Sequence, residues 1–431
     1  MAPSSKKKHK KKGVKGSDPM SKLTDDILAD IISRVPYKST CCCKCVSTRW
    51  RDLISHPDHR KKMPQSIAGF LYEGYNMDPV PKPARFFTNV SREGYHLIDP
   101  SLSFLPKYQS LDILDCCNGL LLCRCWKTTD PETMDYVVCN PATEKWVVVP
   151  ATDWSSKVNV ARLGFDPAVS SHFHVFEFID KKVWGIDESE PDEEVLGIDE
   201  SEPDEVLGID EELWGIDEPE LNDWDGRIKA LAIYSSKAGA WKHQKVYCDP
   251  FAIPVTSKSA FFNGILHLAG FDDLVAAVDV EDHHSRLTEI PTHPYYNEEP
   301  VDDIFQSQGK LYFVNSSAGA DGKELEVWVL EDSVDENWCL KHTVSHLQLF
   351  GKKSPLYEYD FSVISIHPEH NLLFIVGGNK KALMSYDMDS RKRRFIRQLG
   401  SDCQFESPDW REKTPYLPYV PWFSESLADG H

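Results

Sequence analysis

Cysteine is the residue type whose clustering in this chain could support metal or redox chemistry. Two groups stand out, namely Cys41, Cys42, Cys43 and Cys45, and then Cys116, Cys117, Cys123 and Cys125. A structural zinc site of this kind uses two separate C-x2-C pairs, which neither group contains. On a strand, Cys123 and Cys125 would share one face. We therefore expect buried free thiols that pack as small apolar side chains, and no metal site.

Histidines offer the other candidate chemistry. His172 and His174 alternate with aromatic residues in a predicted strand, whereas His283 and His284 lie in an acidic, turn-like stretch. Such positions are typical of structural or solvated histidines. The chain also lacks a nucleophile elbow, a P-loop, a dinucleotide-binding glycine fingerprint and a zinc-protease helix motif. The sequence predicts no catalytic residues and no cofactor.

Acidic charge is concentrated in an internal repeat. Residues 183–223 contain 18 Asp and Glu and no Lys or Arg, which leaves only −2 of the net charge of −20 for the rest of the chain. The repeated unit reads Val-Trp-Gly-Ile-Asp-Glu or a close variant. It could bind Ca²⁺ or a basic partner, but its spacing does not match an EF-hand loop. We favour an expanded, mobile acidic loop.

Basic charge is concentrated in the N-terminal tail, where Lys6 to Lys15 form a dense run within residues 1–20. We expect this tail to be disordered. It is either a nuclear-localisation patch or a solvated tail, and both interpretations stay open. The nearly neutral remainder disfavours nucleic-acid binding. No apolar run is long enough for a membrane span or signal peptide. The expected location is the nucleus, the cytoplasm or both, with reduced thiols.

A first amphipathic helix is predicted after the tail. Thr24 is its predicted N-cap, Asp25 and Asp26 complement its dipole, and Pro36 stops it. Its apolar residues recur with a period of 3.6 and share one face: Ile27, Leu28, Ile31, Ile32 and Val35.

Two more short helices are predicted. Ser39 is the start signal of one that runs through Cys43. Ser47 starts the other, which carries Trp50, Leu53 and Ile54 on one face and ends before Pro57. Three helices in about forty residues hold very little core, so a unit this small usually needs a partner. We expect a docking module.

Beyond Lys62 the chain reads as short apolar or alternating strands. The predicted strands are 120–125, 136–139, 146–149, 173–178, 229–234, 265–268, 275–280, 311–314, 326–330, 361–366, 372–376 and 382–386. Turn signals separate them, at 117–119, 263–264, 308–310 and 377–379. Propeller blades take about 40–50 residues, so the roughly 320 residues outside the repeat fit six or seven blades. The predicted fold class is α+β multidomain, with a three-helix module before a mainly-β, propeller-like domain.

The segment from Leu23 to Pro36, followed by Cys45-Val46-Ser47-Thr48-Arg49-Trp50, resembles an F-box of plant proteins. The resemblance implies binding to a Skp-type adaptor. The positions that match the motif are Leu23, Ile27, Leu28, Ile31, Val35, Pro36, Val46, Trp50 and Leu53. Two departures are Thr24, where the family usually has proline, and the run Cys41 to Cys43, where it carries bulkier residues.

Later stretches, such as those at 115–123, 138–146, 163–167, 233–241 and 416–421, resemble the F-box-associated domain of plant, especially grass, families. This predicts a basic tail at 1–20, an F-box at 21–62, a propeller-like domain at 63–425 with the insert 183–223, and a tail at 426–431. The implied function is that of a non-catalytic substrate-recognition subunit of a cullin-RING ubiquitin ligase, which binds an unknown protein target. The alternative is a propeller scaffold with no ligase role.

Overall fold

The protein is described here from a computed structural model. It describes residues 22–35, 37–56, 59, 65–76, 82–91, 97–129, 132–180, 183, 227–246, 251–255, 257–270, 274–281, 285–289, 303–319, 322–332, 337–350, 361–377, 381–399, 416–422 and 427. The predicted basic tail, most of the acidic repeat and the His283-His284 pair lie outside these ranges. The chain divides into two compact units, Met1–Gln65 and Ser66–His431. Among the described helices, none has the length and apolarity to cross a membrane.

The first unit contains three short helices, α1 (Asp25–Ser33), α2 (Tyr37–Cys43) and α3 (Thr48–Ser55). Thr24 and Ser47 lie in extended conformation before α1 and α3, and the side chain of each accepts a hydrogen bond from a backbone N–H of the first turn. Because such caps satisfy donors that have no partner in the helix, they define where each helix begins. Both predicted N-caps are confirmed.

The start of α2 differs from the prediction. The helix begins at Tyr37, so Ser39 lies inside its first turn and does not cap it. Thr40, which is buried, donates from its hydroxyl to the carbonyl of Val35 at 3.1 Å. This contact ties the first turn of α2 to the chain leaving α1, so a tertiary contact accompanies the earlier start.

A small core holds the three helices together. Its buried residues are Leu28, Ala29, Ile32, Leu53 and Ile54, and partly buried Leu23, Cys43 and Trp50 pack against them. With so few buried side chains, each one carries a large share of the stability of the unit.

The second unit consists of six antiparallel sheets, which we number as blades 1 to 6. Blade 1 contains three strands, β1 (Gly69–Asn76), β2 (Lys82–Asn89) and β23 (Leu417–Tyr419). Blade 2 contains β3 (Ser110–Cys117), β4 (Leu120–Lys127), β5 (Thr133–Asn140) and β6 (Lys145–Val149). Blade 3 contains β7 (Val160–Phe165), β8 (Phe173–Asp180), β9 (Ile228–Ser235) and β10 (Ala240–Lys245).

Blades 4 to 6, like blades 2 and 3, each have four antiparallel strands. Blade 4 contains β11 (Ser259–Phe262), β12 (Ile265–Ala269), β13 (Leu274–Asp279) and β14 (Ser285–Glu289). Blade 5 contains β15 (Asp303–Ser307), β16 (Lys310–Gly319), β17 (Gly322–Asp332) and β18 (Asn337–Ser345). Blade 6 contains β19 (Phe361–Ile366), β20 (Leu372–Gly377), β21 (Ala382–Asp387) and β22 (Lys392–Gln398). A short helix, α4 (His346–Phe350), lies between blades 5 and 6 in the sequence.

The blades close into a ring. The inner strands β23, β3, β7, β11, β15 and β19 contact one another in that cyclic order. A separate apolar core fills each junction between neighbouring blades, including the junction between blades 6 and 1. The fold is therefore a six-bladed propeller, and of the six or seven blades predicted the lower number holds.

The last strand of the domain closes this ring. β23 pairs with β1 from Gly69 opposite Tyr419 to Leu71 opposite Leu417, so the two ends of the domain share blade 1. The predicted strands all lie within observed strands, except that β13 ends one residue before the predicted end. Three of the predicted turns have consecutive residues with positive φ, as hairpin turns of type I′ require, at 118–119, 263–264 and 308–309.

Candidate functional site

Three exposed aliphatic side chains lie in the helical unit, on α1 and in the turn before α3. Ile27 and Ile31 are 50% and 45% exposed and lie one turn apart on α1, while Val46, in the turn before α3, is 64% exposed. We call these three residues the exposed aliphatic set. Their neighbours Leu28 and Ile32 face the core and are fully buried. Since α1 is apolar on its outer side as well, this side is suited to contact another polypeptide.

Arg49 of α3 holds the start of α1 in place. Its guanidinium donates to a carboxylate oxygen of Asp25 from two nitrogens, at 2.9 and 2.7 Å, and to the carbonyl of Leu23 at 2.6 Å. A planar guanidinium can make such contacts together, and this fixes the orientation of α1 relative to α3. Sequence reasoning missed Arg49, because nothing in the sequence pairs residues that are 24 positions apart.

The structure divides the nine predicted adaptor-binding positions into classes. The exposed aliphatic set, Ile27, Ile31 and Val46, is open to solvent, whereas Leu28 and Leu53 belong to the buried core. The remaining described positions, Leu23, Val35 and Trp50, are half-buried. Pro36 lies outside the described residues. Adaptor binding by these positions stays a prediction, but in this conformation only the exposed class leaves roughly half or more of each residue open to a partner.

Buried polar groups of the propeller link neighbouring inner strands. The carboxylate of Asp115 in β3 accepts hydrogen bonds from the N–H of Leu163 in β7 at 2.8 Å and from the hydroxyl of Ser259 in β11 at 3.1 Å. Burial raises the pKa of Asp115, and the nearby Arg162 guanidinium opposes that rise. Arg162 itself donates to the carbonyl of Ser257 at 2.7 Å. One carboxylate thus ties three consecutive blades.

Lys258 makes the corresponding link on the opposite arc of the ring. Its ammonium donates to the carbonyl of Val363 in β19 at 2.8 Å and lies 4.9 Å from the centre of the Phe305 ring in β15. Lys258 precedes β11, so it connects blades 4, 5 and 6. Asp115 thus accepts from a backbone N–H and a hydroxyl, and Arg162 and Lys258 donate to backbone carbonyls, an arrangement that stabilises a scaffold.

Of the four propeller cysteines predicted to be buried, Cys123 and Cys125 are buried, whereas Cys116 and Cys117 are only partly buried. Cys123 and Cys125 are buried in the core between blades 1 and 2. Burial raises the pKa of the Cys125 thiol, so it stays neutral. Cys42 and Cys45 of the helical unit are exposed, so their predicted burial is wrong. The core of this unit is already filled by larger aliphatic side chains, which leaves these thiols on its surface. Among the described residues, no cluster of potential metal ligands forms.

Of the two histidines predicted to lie in one strand, His174 lies in β8, whereas His172 directly precedes it. His174 lies between aromatic rings, with its centroid 6.4 Å from that of Phe176 and 6.3 Å from that of Phe261. Of the two roles expected, structural or solvated, these ring contacts favour the structural one for His174.

Family models match both units. The F-box domain model matches residues 20–62, and the model described as "F-box protein At3g26010-like, beta-propeller" matches residues 219–416. The chain is 24% identical to F-box protein At5g07610 of Arabidopsis thaliana over 338 residues, which cover 74% of this chain and 70% of the relative.

Two further similarities cover a smaller share of this chain. F-box protein At1g53790 of Arabidopsis thaliana is 30% identical over 157 residues, 33% of each chain. A chain of the solved structure titled "Crystal Structure of Mitotic Checkpoint Complex" aligns at 11% identity and a TM-score of 0.33, over 65% of this chain and 61% of that chain, and a score so low supports no inference.

Proposed function

This chain is an F-box protein with a C-terminal β-propeller, and on that premise we propose that it is the substrate-recognition subunit of a cullin-RING ubiquitin ligase. In this proposal the helical unit binds a Skp-type adaptor, and the propeller binds the target protein. The chain brings the target close to a ubiquitin carrier, because proximity raises the effective concentration of the reacting lysine. It performs no reaction itself.

The exposed aliphatic set is the observation that supports adaptor binding. A unit with five buried core residues nevertheless leaves Ile27, Ile31 and Val46 in solvent. Aliphatic surface is unfavourable in water, and burial of an isoleucine side chain contributes about 2 kcal/mol. A partner that covers these residues would stabilise both itself and the helical unit.

Thr24, where the family usually has proline, does not weaken α1. Its hydroxyl accepts a hydrogen bond from the N–H of Ile27 at 3.5 Å, and Asp25 adds the contact with Arg49 at the same helix end. Because proline contributes only a preset φ at the first turn while threonine supplies a cap, the substitution exchanges one stabilising device for another. The adaptor-facing side of α1 therefore keeps its geometry.

The propeller supports target binding as a rigid scaffold. Its six interlocked cores and the ties from Asp115 and Lys258 hold the blades in place. Recognition residues of proteins lie disproportionately on loops and edges of such frameworks.

The experiment is capture of purified Skp-type adaptor by the full chain. The test variant is Ile31→Asp, and the matched control is Val169→Asp, which changes an aliphatic residue that is 60% exposed on the propeller. Placing a carboxylate into an apolar interface should weaken adaptor affinity by at least about tenfold, whereas the control should bind like the wild type. Failure of the wild-type chain to capture any Skp-type adaptor would refute the proposal.

The alternative is a propeller scaffold that uses its helices for another partner. It makes a different prediction in cells. If the chain is a ligase subunit, Ile31→Asp should raise the amount of target bound to the propeller, because the target is no longer degraded. If the chain is a scaffold, neither Ile31→Asp nor inhibition of the proteasome should change the amount of bound protein.

A further inference from the structure

The outer strand of blade 6 carries a basic run that sequence reasoning passed over. β22 (Lys392–Gln398) contains Lys392, Arg393, Arg394 and Arg397 and no acidic residue, and Arg391 precedes it in the turn. Without these four cations of β22, the rest of the chain outside the acidic repeat carries a net charge of −6, since −2 − 4 = −6. This strand is therefore a local concentration of positive charge on the folded domain.

β22 is also an edge. Among the described strands it ends the order β19-β20-β21-β22 and pairs only with β21, so one side of its backbone has no partner within that part of the chain. Phe395, in the middle of the strand, is 55% exposed. An edge strand presents N–H and C=O groups that can pair with an added strand.

Protection against aggregation accounts for some charge on an edge, but not for this amount. One or two lysines are enough to blunt an edge strand. The outer strands of the other four-stranded blades carry that level: one Lys in β6, two in β10, one Arg with one Glu in β14, and one Lys in β18. β22 has four cations, which is at least twice the number on any of these.

Neighbouring groups account for part of this charge. Asp387 lies opposite Lys392 in the strand register and is stabilised as an anion, its pKa lowered chiefly by hydrogen bonding from Ser390 and also by Lys392. Arg393 donates to the carbonyl of Leu349 in α4 at 2.7 Å. The side chains of Arg394 and Arg397 have no ion-pair or hydrogen-bond partner among the described residues, although the backbone of both residues pairs with β21. These two arginines flank Phe395.

We propose that the edge of β22 docks an extended acidic segment of the target protein as an added strand. This inference rests on the proposed role of the propeller in target binding. Backbone groups of the segment pair with the free edge, its carboxylates meet Arg394 and Arg397, and an apolar side chain covers Phe395. A nucleic acid would use the charges alone, so the open backbone edge and the exposed ring favour a peptide.

The test uses a fluorescent peptide of about ten residues with alternating Glu and Val, a length that matches a propeller strand, and fluorescence anisotropy with the full chain. The test variant is R394E/R397E. The matched control is K242E/K245E, which reverses two exposed lysines on β10, the outer strand of blade 3. The test variant should bind the peptide at least about tenfold more weakly, because each reversal replaces attraction with repulsion. The control should bind like the wild type.

Two further probes separate strand addition from simple charge attraction. A peptide N-methylated at every residue has no backbone N–H to donate to the edge, so it should bind much more weakly although its charge is the same. Equal binding of the methylated peptide, or of a single-stranded oligonucleotide of equal charge, would overturn the proposal. So would binding seen only after deletion of residues 184–226, since the chain's own acidic repeat would then be the occupant.

Adaptor capture distinguishes this inference from the proposed ligase function. If the wild-type chain captures the adaptor but does not bind the peptide, only the β22 proposal is wrong. If it binds the peptide and fails to capture the adaptor, the edge is a peptide site on a propeller that has no ligase role.

Discussion

Gly119 offers a quantitative test of how the ring is closed. It follows Asn118 in the turn between β3 and β4, and its φ of +90° is one that side-chain-bearing residues rarely adopt. A Cβ atom added there would lie 2.5 Å from the carbonyl oxygen of Val420 and 2.8 Å from the nitrogen of Trp422. Both atoms belong to the backbone that follows β23, the strand that completes blade 1. Gly119→Ala therefore perturbs the closing segment directly.

Gly309 is the matched control. It occupies the same position in the turn between β15 and β16, with φ of +73°, and an added Cβ would meet nothing within 4 Å. Gly309→Ala should cost only the backbone strain, about 1 kcal/mol of unfolding free energy. Gly119→Ala adds the displacement of packed backbone, about 1–3 kcal/mol, so its total should be about 2–4 kcal/mol.

Urea unfolding of both variants measures these free energies, and hydrogen exchange of the Leu417 and Tyr419 amides in β23 locates the change. The closing segment is held by blades 2 and 3, since Asn140 of blade 2 donates to the carbonyl of Trp422 at 2.7 Å and the ring centres of Phe165 in blade 3 and Trp422 are 4.7 Å apart. Exchange in β23 should therefore accelerate in Gly119→Ala and not in Gly309→Ala. Equal losses of stability with unchanged exchange would show that the closing segment does not restrict Gly119.

Two further predictions concern the core of the helical unit and the acid sensitivity of the propeller. Leu28→Ala should destabilise the helical unit by about 2–5 kcal/mol, because Leu28 is fully buried in a small core. Limited proteolysis and adaptor capture measure this loss. Resistance of the variant to proteolysis equal to that of the wild type would contradict the prediction. Burial, with a smaller contribution from Arg286, lowers the pKa of His267 from 6.5 to about 4. The folded state then binds fewer protons than the unfolded state, so stability is complete above pH 6.5 and falls as the pH drops towards 4, by up to about 3 kcal/mol. His267→Asn should flatten the pH dependence of thermal unfolding in this window relative to the wild type; identical profiles for the variant and the wild type would refute the assignment.

Local signals were sufficient for much of the secondary structure. Thr24 and Ser47 cap helices as predicted, because a side-chain oxygen beside the first turn acts within four residues of chain. The Asn-Gly turn at 263–264 is found as predicted for the same reason, since its positive φ values depend on those two residues. The predicted start of α2 at Ser39 failed, and here Thr40 is engaged by the carbonyl of Val35 across the preceding turn.

The candidate site shows the limit of periodicity. The 3.6-residue pattern placed Ile27, Leu28 and Ile31 on one apolar face, but only contacts with α3 decide that Leu28 is covered while Ile27 and Ile31 are not. The surface open to a partner is what remains after the unit has packed its own core. Arg49, which orients α1 through Asp25, was missed because its role depends on that packing.

By itself the sequence determined the helical module, the short strands with their hairpin turns, and the similarity of both units to plant F-box proteins, since all of these depend on residues close together in the chain or on motif order. Only the tertiary structure decided that six blades close the ring through β23, that Asp115 ties three of them, and that the basic residues of β22 lie on an open edge. These features join residues up to hundreds of positions apart, and such pairings are selected by packing of the whole domain and leave no local pattern.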